Sequence, residues 1–447
     1  MVSAATNPPG DALQRKALAG SAWTLGGFGA AQTLRLGGNL ILTRLLVPEA
    51  FGLMALVSIV VQGVEMFSDV GVRGSIVHHA RGAEPRFLNT AWTFKVLRGF
   101  VLWTLMSLLA LPAADFYGAP ELHFLVPAAA AKAILDGFAS TSVFTLVRDV
   151  QPARRVIMDI GSAVVSLGVS VGIAVWVMPT VWALVAGGVA ASITQCIWSH
   201  FLIAGPRNRF AWDPEAARSL LRFGRWMFIS TSLVFLLAQG DKMALGKLMT
   251  SAELGVYGVA FTLVQTLLTA AQRLSGNVLF PVYAELARHG SETLQKRMTR
   301  IRLTMMSVFL PPLCALVIAG EELVRWLYDA RYVNAGWIVQ ILAAGAIARV
   351  LTLSGERAIL AHGDSFRHMM LQVGRAALFI LGMVLGGWWG GTTGLILGSA
   401  AAHFVAYIPY AVAVRPFGTW TPGVDLLVLS VTAGICALGH SALHNLL

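Results

Sequence analysis

The sequence predicts an all-α polytopic membrane protein with about thirteen spans, bounded by twelve and fourteen, and three observations lead there. Charged residues make up only 12% of the 447, hydrophobic residues 56%, and the mean hydropathy is +0.70. A soluble chain of this size carries about 25% charge. Apolar runs of about twenty residues or more recur from one end to the other, which is the length a bilayer demands. The runs lack the short alternating strands of an outer-membrane barrel. They must therefore be helices, because lipid offers backbone groups no other partner.

In chain order the expected spans are 20–42, 51–74, 91–112, 122–146, 156–178, 181–203, 222–246, 254–282, 301–320, 334–361, 368–389, 391–413 and 424–444. The polar stretch before the first span is not a cleavable signal peptide, since the apolar segment after it is too long and no cleavage site follows. With the N-terminus placed in the cytoplasm, the inward loops carry Arg15, Lys16, Arg81, Arg86, Arg148, Arg154, Arg155, Arg207, Arg209, Arg218, Arg288, Lys296, Arg297, Arg300, Arg367 and Arg415. The outward loops carry Arg44, Lys247, Arg325 and Arg331. This bias sets the orientation and accounts for most of the net charge of +11 without a nucleic-acid partner. No loop is large enough for a nucleotide-binding domain, no phosphate loop is present, and no cofactor is expected. Cys196, Cys314 and Cys436 lie far apart in apolar runs, with neither metal spacing nor a disulfide framework.

An internal repeat organises the chain. LTRLLVPEAFGLMALVSIVVQ (42–62) is echoed by LGKLMTSAELGVYGVAFTLVQ (245–265). At an offset of 203 positions Trp23 pairs with Trp226, Gly37 with Gly240, Arg44 with Lys247, Gly52 with Gly255 and Gln62 with Gln265. The offset spans six helices, an even number, so the halves enter the membrane with the same orientation as parallel repeats. The expected division is two homologous six-helix lobes, 1–205 and 206–415, with one extra helix in 416–447. Arg44 and Lys247 read as interfacial turn residues of that repeat.

Charges inside spans cost about 2.5–3.5 kcal/mol each on insertion scales, so they mark candidate sites. Six basic residues are candidates for substrate binding: Arg35 in the first helix, Lys132 in the fourth, Lys242 in the seventh, Arg273 deep in the eighth, and Arg349 and Arg357 in the tenth. Arg35, Arg273 and Arg349 have no close carboxylate in sequence. Glu65, Asp136 and Asp241 are candidates for ion coupling, and Asp136 also stands one turn after Lys132 on the same face, where it could neutralise it. Lys95, Arg98 and Arg375 lie near the inner surface and read as snorkelling side chains. A mostly basic interior implies an anionic substrate, and the guanidinium fork suits phosphate.

The remaining motifs concern packing. Gly168-x-x-x-Gly172, Gly382-x-x-x-Gly386 and Gly390-x-x-x-Gly394-x-x-x-Gly398 allow close helix approach. Pro127, Pro281, Pro311 and Pro312 can kink or end helices. Trp92, Trp182, Trp326 and Trp388 fit interfacial belts.

Three stretches, RLLVPEAFGLMALVSIVVQ (44–62), FSDVGVRGSIV (67–77) and FYGAPEL (116–122), resemble the polysaccharide transporter family of the multidrug/oligosaccharidyl-lipid/polysaccharide superfamily. The turn after the first helix is the most specific part, and the resemblance runs from about residue 15 to 415. It implies a V-shaped pair of six-helix lobes, alternating access through a cationic central cavity, and translocation of an undecaprenyl-diphosphate-linked oligosaccharide across the bacterial inner membrane. Its implied partners are that lipid-linked substrate, membrane lipids, and the polymerase and chain-length proteins of polysaccharide assembly. Related members often have fourteen helices, one more than the thirteen counted here. The alternatives are a cation-coupled drug exporter of the same superfamily and a membrane polymerase or glycosyltransferase. The exporter would want a carboxylate-centred cavity. The enzyme would need paired acids or a large domain in an outward loop, and the first such loop offers only Glu49.

Overall fold

In a computed structural model the described residues are 9–67, 84–144, 152–202, 208–215, 239–276, 292–417 and 420–446, with Ile76, Phe235 and Tyr283 singly. The chain divides into two compact units, Met1–Phe235 and Leu236–Leu447.

Among the described residues of the first unit, six long helices occur in the order α1 (Pro9–Leu45), α2 (Pro48–Phe67), α3 (Pro85–Tyr117), α4 (Leu122–Phe138), α5 (Pro152–Trp176) and α6 (Val181–Phe201). Proline opens α2, α3 and α5, where its missing N–H would have had no helical partner in any case. Gly118 ends α3 in the left-handed region at φ 65°. α3 packs on α4, α5 on α6, and α2 reaches α3, α4 and α6, while α1 lies on α5. The α3–α4 crossing is backbone to backbone: a Cβ on Gly99 would fall 2.6 Å from the Ala133 carbonyl oxygen, and one on Gly137 would fall 2.9 Å from that of Lys95. The extended segment 208–213 is pinned along the start of α3. There the backbone N–H groups of Arg209, Ala211 and Asp213 donate to the side chains of Asn89, Thr93 and Thr90.

The second unit begins, among its described residues, with a helical stretch at 239–248. It continues with α7 (Ser251–Leu274), α8 (Glu292–Leu327), α9 (Ala335–Ala361), α10 (Ser365–Val405), α11 (Tyr407–Val414) and α12 (Pro422–Leu446). α10 contains two non-helical residues, Gly390 and Gly391. Gly391 has φ 58° and ψ −138°, a conformation closed to side-chain-bearing residues. The glycines on either side face each other: a Cβ on Gly382 would fall 2.5 Å from the Gly398 carbonyl oxygen, and Gly386 abuts Gly394 backbone to backbone. α10 is thus two arms folded back at Gly390–Gly391; the first corresponds to the expected span 368–389, and the second together with α11 to 391–413. The two Gly-x-x-x-Gly motifs are the contact between them.

The sequence offset reappears in the helix boundaries. α1 ends at Leu45 and α2 begins at Pro48; the stretch 239–248 ends at Leu248 and α7 begins at Ser251, each 203 positions later. The closing hydrogen bonds correspond as well, Leu46 N–H to Leu42 O at 2.8 Å and Met249 N–H to Leu245 O at 2.8 Å. The same turn is made by different chemistry. Pro48 starts α2, whereas α7 starts with a capping box in which Thr250 and Glu253 bond each other's backbone N–H. The packing pattern also recurs, with α8 on α9 and α7 on both.

Among the described residues eight stretches are long and apolar enough to cross a membrane. One of them, Ser365–Phe417, holds two expected spans, and most of 222–246 falls outside the described residues. Pro127, Pro311 and Pro312 end nothing: α4 and α8 run through them, and the one non-helical residue in α8 is Ala319. Pro281 lies outside the described residues. Trp92 is no belt residue. It is buried, and its indole N–H donates to the Phe138 carbonyl at 3.0 Å, whereas Trp326 and Trp388 are largely exposed.

The glycine hairpin gives a test. Gly386→Val should force the two arms of α10 apart and lower stability by about 1–3 kcal/mol. Gly188→Ala, with open space at its Cβ position, should not lower it. Thermal unfolding in detergent reads both.

Candidate functional site

Each unit holds its own cluster of charges inside the helices. In the first unit Glu65 comes from α2, Lys95 and Arg98 from α3, and Lys132 and Asp136 from α4. Lys132, Asp136 and Arg98 lie close enough to Glu65 to act on it electrostatically. Asp136 feels Lys132 and Lys95, with the buried Ser192 of α6 beside it. Lys95 Nζ donates to the Ala139 carbonyl at 3.0 Å and stands 5.3 Å from the centre of the Phe144 ring. Arg98 Nη2 donates to the Glu65 carbonyl at 3.1 Å. Lys95 and Arg98 therefore turn inward to backbone carbonyls rather than snorkelling: the α3–α4 crossing brings the Ala139 carbonyl at the end of α4 to Lys95, and the packing of α2 on α3 brings the Glu65 carbonyl to Arg98. Three cations against two carboxylates leave this cluster positive.

In the second unit Glu356 of α9 is the centre. It pairs with Arg349 two turns earlier on the same helix and with Arg375 Nη1 of α10 at 2.5 Å. Arg375 Nη2 also donates to Thr352 Oγ1 at 2.7 Å, and Nη1 reaches Gln372 Oε1 at 3.3 Å. Glu356 is 5% exposed and Arg375 8%. Arg375 does not snorkel, and Arg349 has a carboxylate after all: seven residues along a helix is two turns, so the pair is on one face. Arg357 reaches toward the end of α7, where a Cβ on Gly276 would fall 3.5 Å from its Nη2. His368 stands within the field of Glu356, Arg357, Arg375 and Arg349. Three guanidiniums against one carboxylate again leave an excess of positive charge.

A second ionic group in this unit lay outside the sequence candidates. Arg302 of α8 pairs with Asp425 of α12 at 2.5 Å, 4% and 1% exposed. Arg302 also donates to Thr421 Oγ1 at 2.6 Å and to the Leu351 carbonyl at 3.0 Å, and Asp425 accepts from the Tyr407 hydroxyl at 2.6 Å. Arg302 follows Lys296, Arg297 and Arg300 in sequence and stands among neither the inward-loop charges nor the candidate sites; its place one residue inside the expected span 301–320 was the available signal.

The other candidates are not gathered into these clusters. Asp241 is buried and accepts a hydrogen bond from the Tyr257 hydroxyl. Lys242 beside it lies over the Phe261 ring, 4.0 Å from its centre. Arg35 and Arg273 are exposed on α1 and α7.

A family described as "Polysaccharide biosynthesis protein" matches residues 41–336, well over half of the chain. The chain belongs to this family. Two curated relatives of this polysaccharide biosynthesis protein are distant. The teichuronic acid biosynthesis protein TuaB of Bacillus subtilis is 23% identical over 66% of the chain and 61% of its own length, so the chain spans less than two thirds of that relative. The lipopolysaccharide biosynthesis protein WzxC of Escherichia coli is 19% identical over 96% of the chain and 90% of its own length. Among solved structures, the lipid II flippase MurJ in an inward closed conformation superposes with a TM-score of 0.64 at 11% identity, covering 96% of this chain and 99% of that one. An inward-facing MATE family multidrug resistance transporter of the MOP superfamily gives 0.62 at 14% identity, covering 87% and 94%. These likenesses establish the fold: the polysaccharide biosynthesis protein is a multi-pass membrane protein built like this transporter superfamily.

Two outcomes follow from the ionic geometry. Glu356→Gln should destabilise the second unit by about 3–5 kcal/mol, because it strands two guanidiniums. Arg302→Leu and Asp425→Leu should each cost a comparable amount, while the double variant should recover much of the loss. Thermal unfolding of the four purified variants measures the coupling.

Proposed function

We propose that this chain is a flippase. It moves undecaprenyl-diphosphate-linked oligosaccharide repeat units across the bacterial inner membrane for exopolysaccharide, O-antigen or capsule synthesis, by alternating access and without enzymatic chemistry. The observation that carries the reading is the family match on a chain made of membrane-spanning helices. The names of the relatives, one from teichuronic acid and one from lipopolysaccharide synthesis, and the flippase among the structural neighbours point the same way.

The charge arrangement supports an anionic cargo. A diphosphate head crossing hydrocarbon unaided pays tens of kcal/mol in desolvation, and positive, hydrated surfaces would remove most of that cost. Each interior cluster has surplus positive charge, while Arg35 and Arg273 are exposed. We assign Arg35, Lys132, Lys242, Arg273 and Arg357 to substrate contact, with Arg349 split between that task and its ion pair. Glu65, Asp136 and Asp241 are the candidates for coupling to protons or sodium. In this reading the two lobes are 1–205 and 206–415, residues 416–447 add one helix, the N-terminus is cytoplasmic, and polymerase and chain-length proteins act on the delivered substrate.

Deletion should accumulate lipid-linked repeat units on the cytoplasmic face and abolish surface polymer. Unchanged polymer export would refute the flippase reading. Arg35→Ala should lower export at least tenfold with melting temperature unchanged, and Arg273→Ala should lower export at least tenfold as well. Arg349→Ala should lower both export and stability, because it also breaks the pair with Glu356. Polymer yield and thermal unfolding, measured side by side, separate the two roles.

A further inference from the structure

The cysteines, dispersed in sequence, are not all dispersed in space. Cys314 of α8 and Cys436 of α12 are unoxidised thiols that act on each other electrostatically, on two helices that pack together. An independent contact supports the pairing. Arg302 and Asp425 join the same two helices through a buried ion pair. From Arg302 to Cys314 is twelve residues and from Asp425 to Cys436 is eleven. At 1.5 Å per residue both steps come to about 17 Å. The helices therefore run parallel in matched register, with an ion pair at one point and a dithiol about three turns on. The face of α12 agrees: Asp425 and Thr432 are buried and Cys436 half-buried, at spacings of seven and four that place them on one side.

We propose that Cys314 and Cys436 are a redox modification site, an interhelical dithiol that a lipid-soluble two-electron oxidant of the quinone or azo class closes into a disulfide. The two thiols lose two hydrogens and two electrons as the sulfur–sulfur bond forms. A quinone takes these up to become a hydroquinone, or an azo compound to become a hydrazine. The site lies within apolar spans, so the oxidant must dissolve in the bilayer. The bond would clamp α12 to α8 and close a loop of more than one hundred residues, which restricts the unfolded chain.

The test uses the full chain in native membranes, treated with the azo oxidant diamide, quenched with a thiol alkylating agent, digested and analysed by mass spectrometry without reduction. The expected result is a linked peptide pair containing Cys314 and Cys436, absent from Cys314→Ser and Cys436→Ser and cleaved by dithiothreitol. A rise of several degrees in melting temperature should accompany it and vanish in either variant. Independent alkylation of both thiols after oxidation, or a cross-link through Cys196 instead, would overturn the proposal. The readout is covalent and needs no transport, so its failure leaves the flippase reading untouched, and the failure of that reading leaves the cross-link standing.

Discussion

Hydrocarbon offers no partner to an amide, a guanidinium or a carboxylate, and the polar features of this chain are arranged around that deficit. The backbone meets it with long helices. The side chains meet it in three ways: Glu356 shared between Arg349 and Arg375, Arg302 locked to Asp425, and Lys95 and Arg98 turned onto backbone carbonyls. A buried pair of this kind adds little net stability, because desolvation offsets much of its attraction, but losing one partner is costly. Such pairs therefore act as registration devices. They specify which helices meet, and at which level.

α9 shows the consequence. Leu351 gives its carbonyl to Arg302 of α8, and Thr352, the next residue, gives its hydroxyl to Arg375 of α10. Adjacent residues of one helix thus tie it to both neighbours. Gly355 lies against the fully buried Tyr410 ring of α11, so that position admits no side chain. A segment so constrained is suited to hold a cationic surface in shape, since long flexible side chains are fixed only where their partners are fixed.

The repeated turn at 46–47 and 249–250 separates geometry from chemistry. The boundary is the same to the residue, yet one copy relies on proline at the helix start and the other on a capping box. Both satisfy or remove the orphan N–H groups of a helix start, and the function of the turn depends on that result rather than on the residues that reach it.

Composition and periodicity alone determined the helical membrane character, the repeat and its offset of 203, and the Gly390–Gly391 fold of two spans, because these depend on local hydrophobicity and backbone freedom. Single-sequence reading went astray where partners come from distant positions. Arg349 looked unpaired although Glu356 was two turns away, since only the rotamer and the neighbouring Arg375 bring them together. Arg302 did not stand out because Asp425 is far along the chain, and Cys314 and Cys436 looked separate for the same reason. The tertiary structure alone decided which buried charges are neutralised, because a hydrocarbon interior makes pairing obligatory while leaving the choice of partner to helix packing.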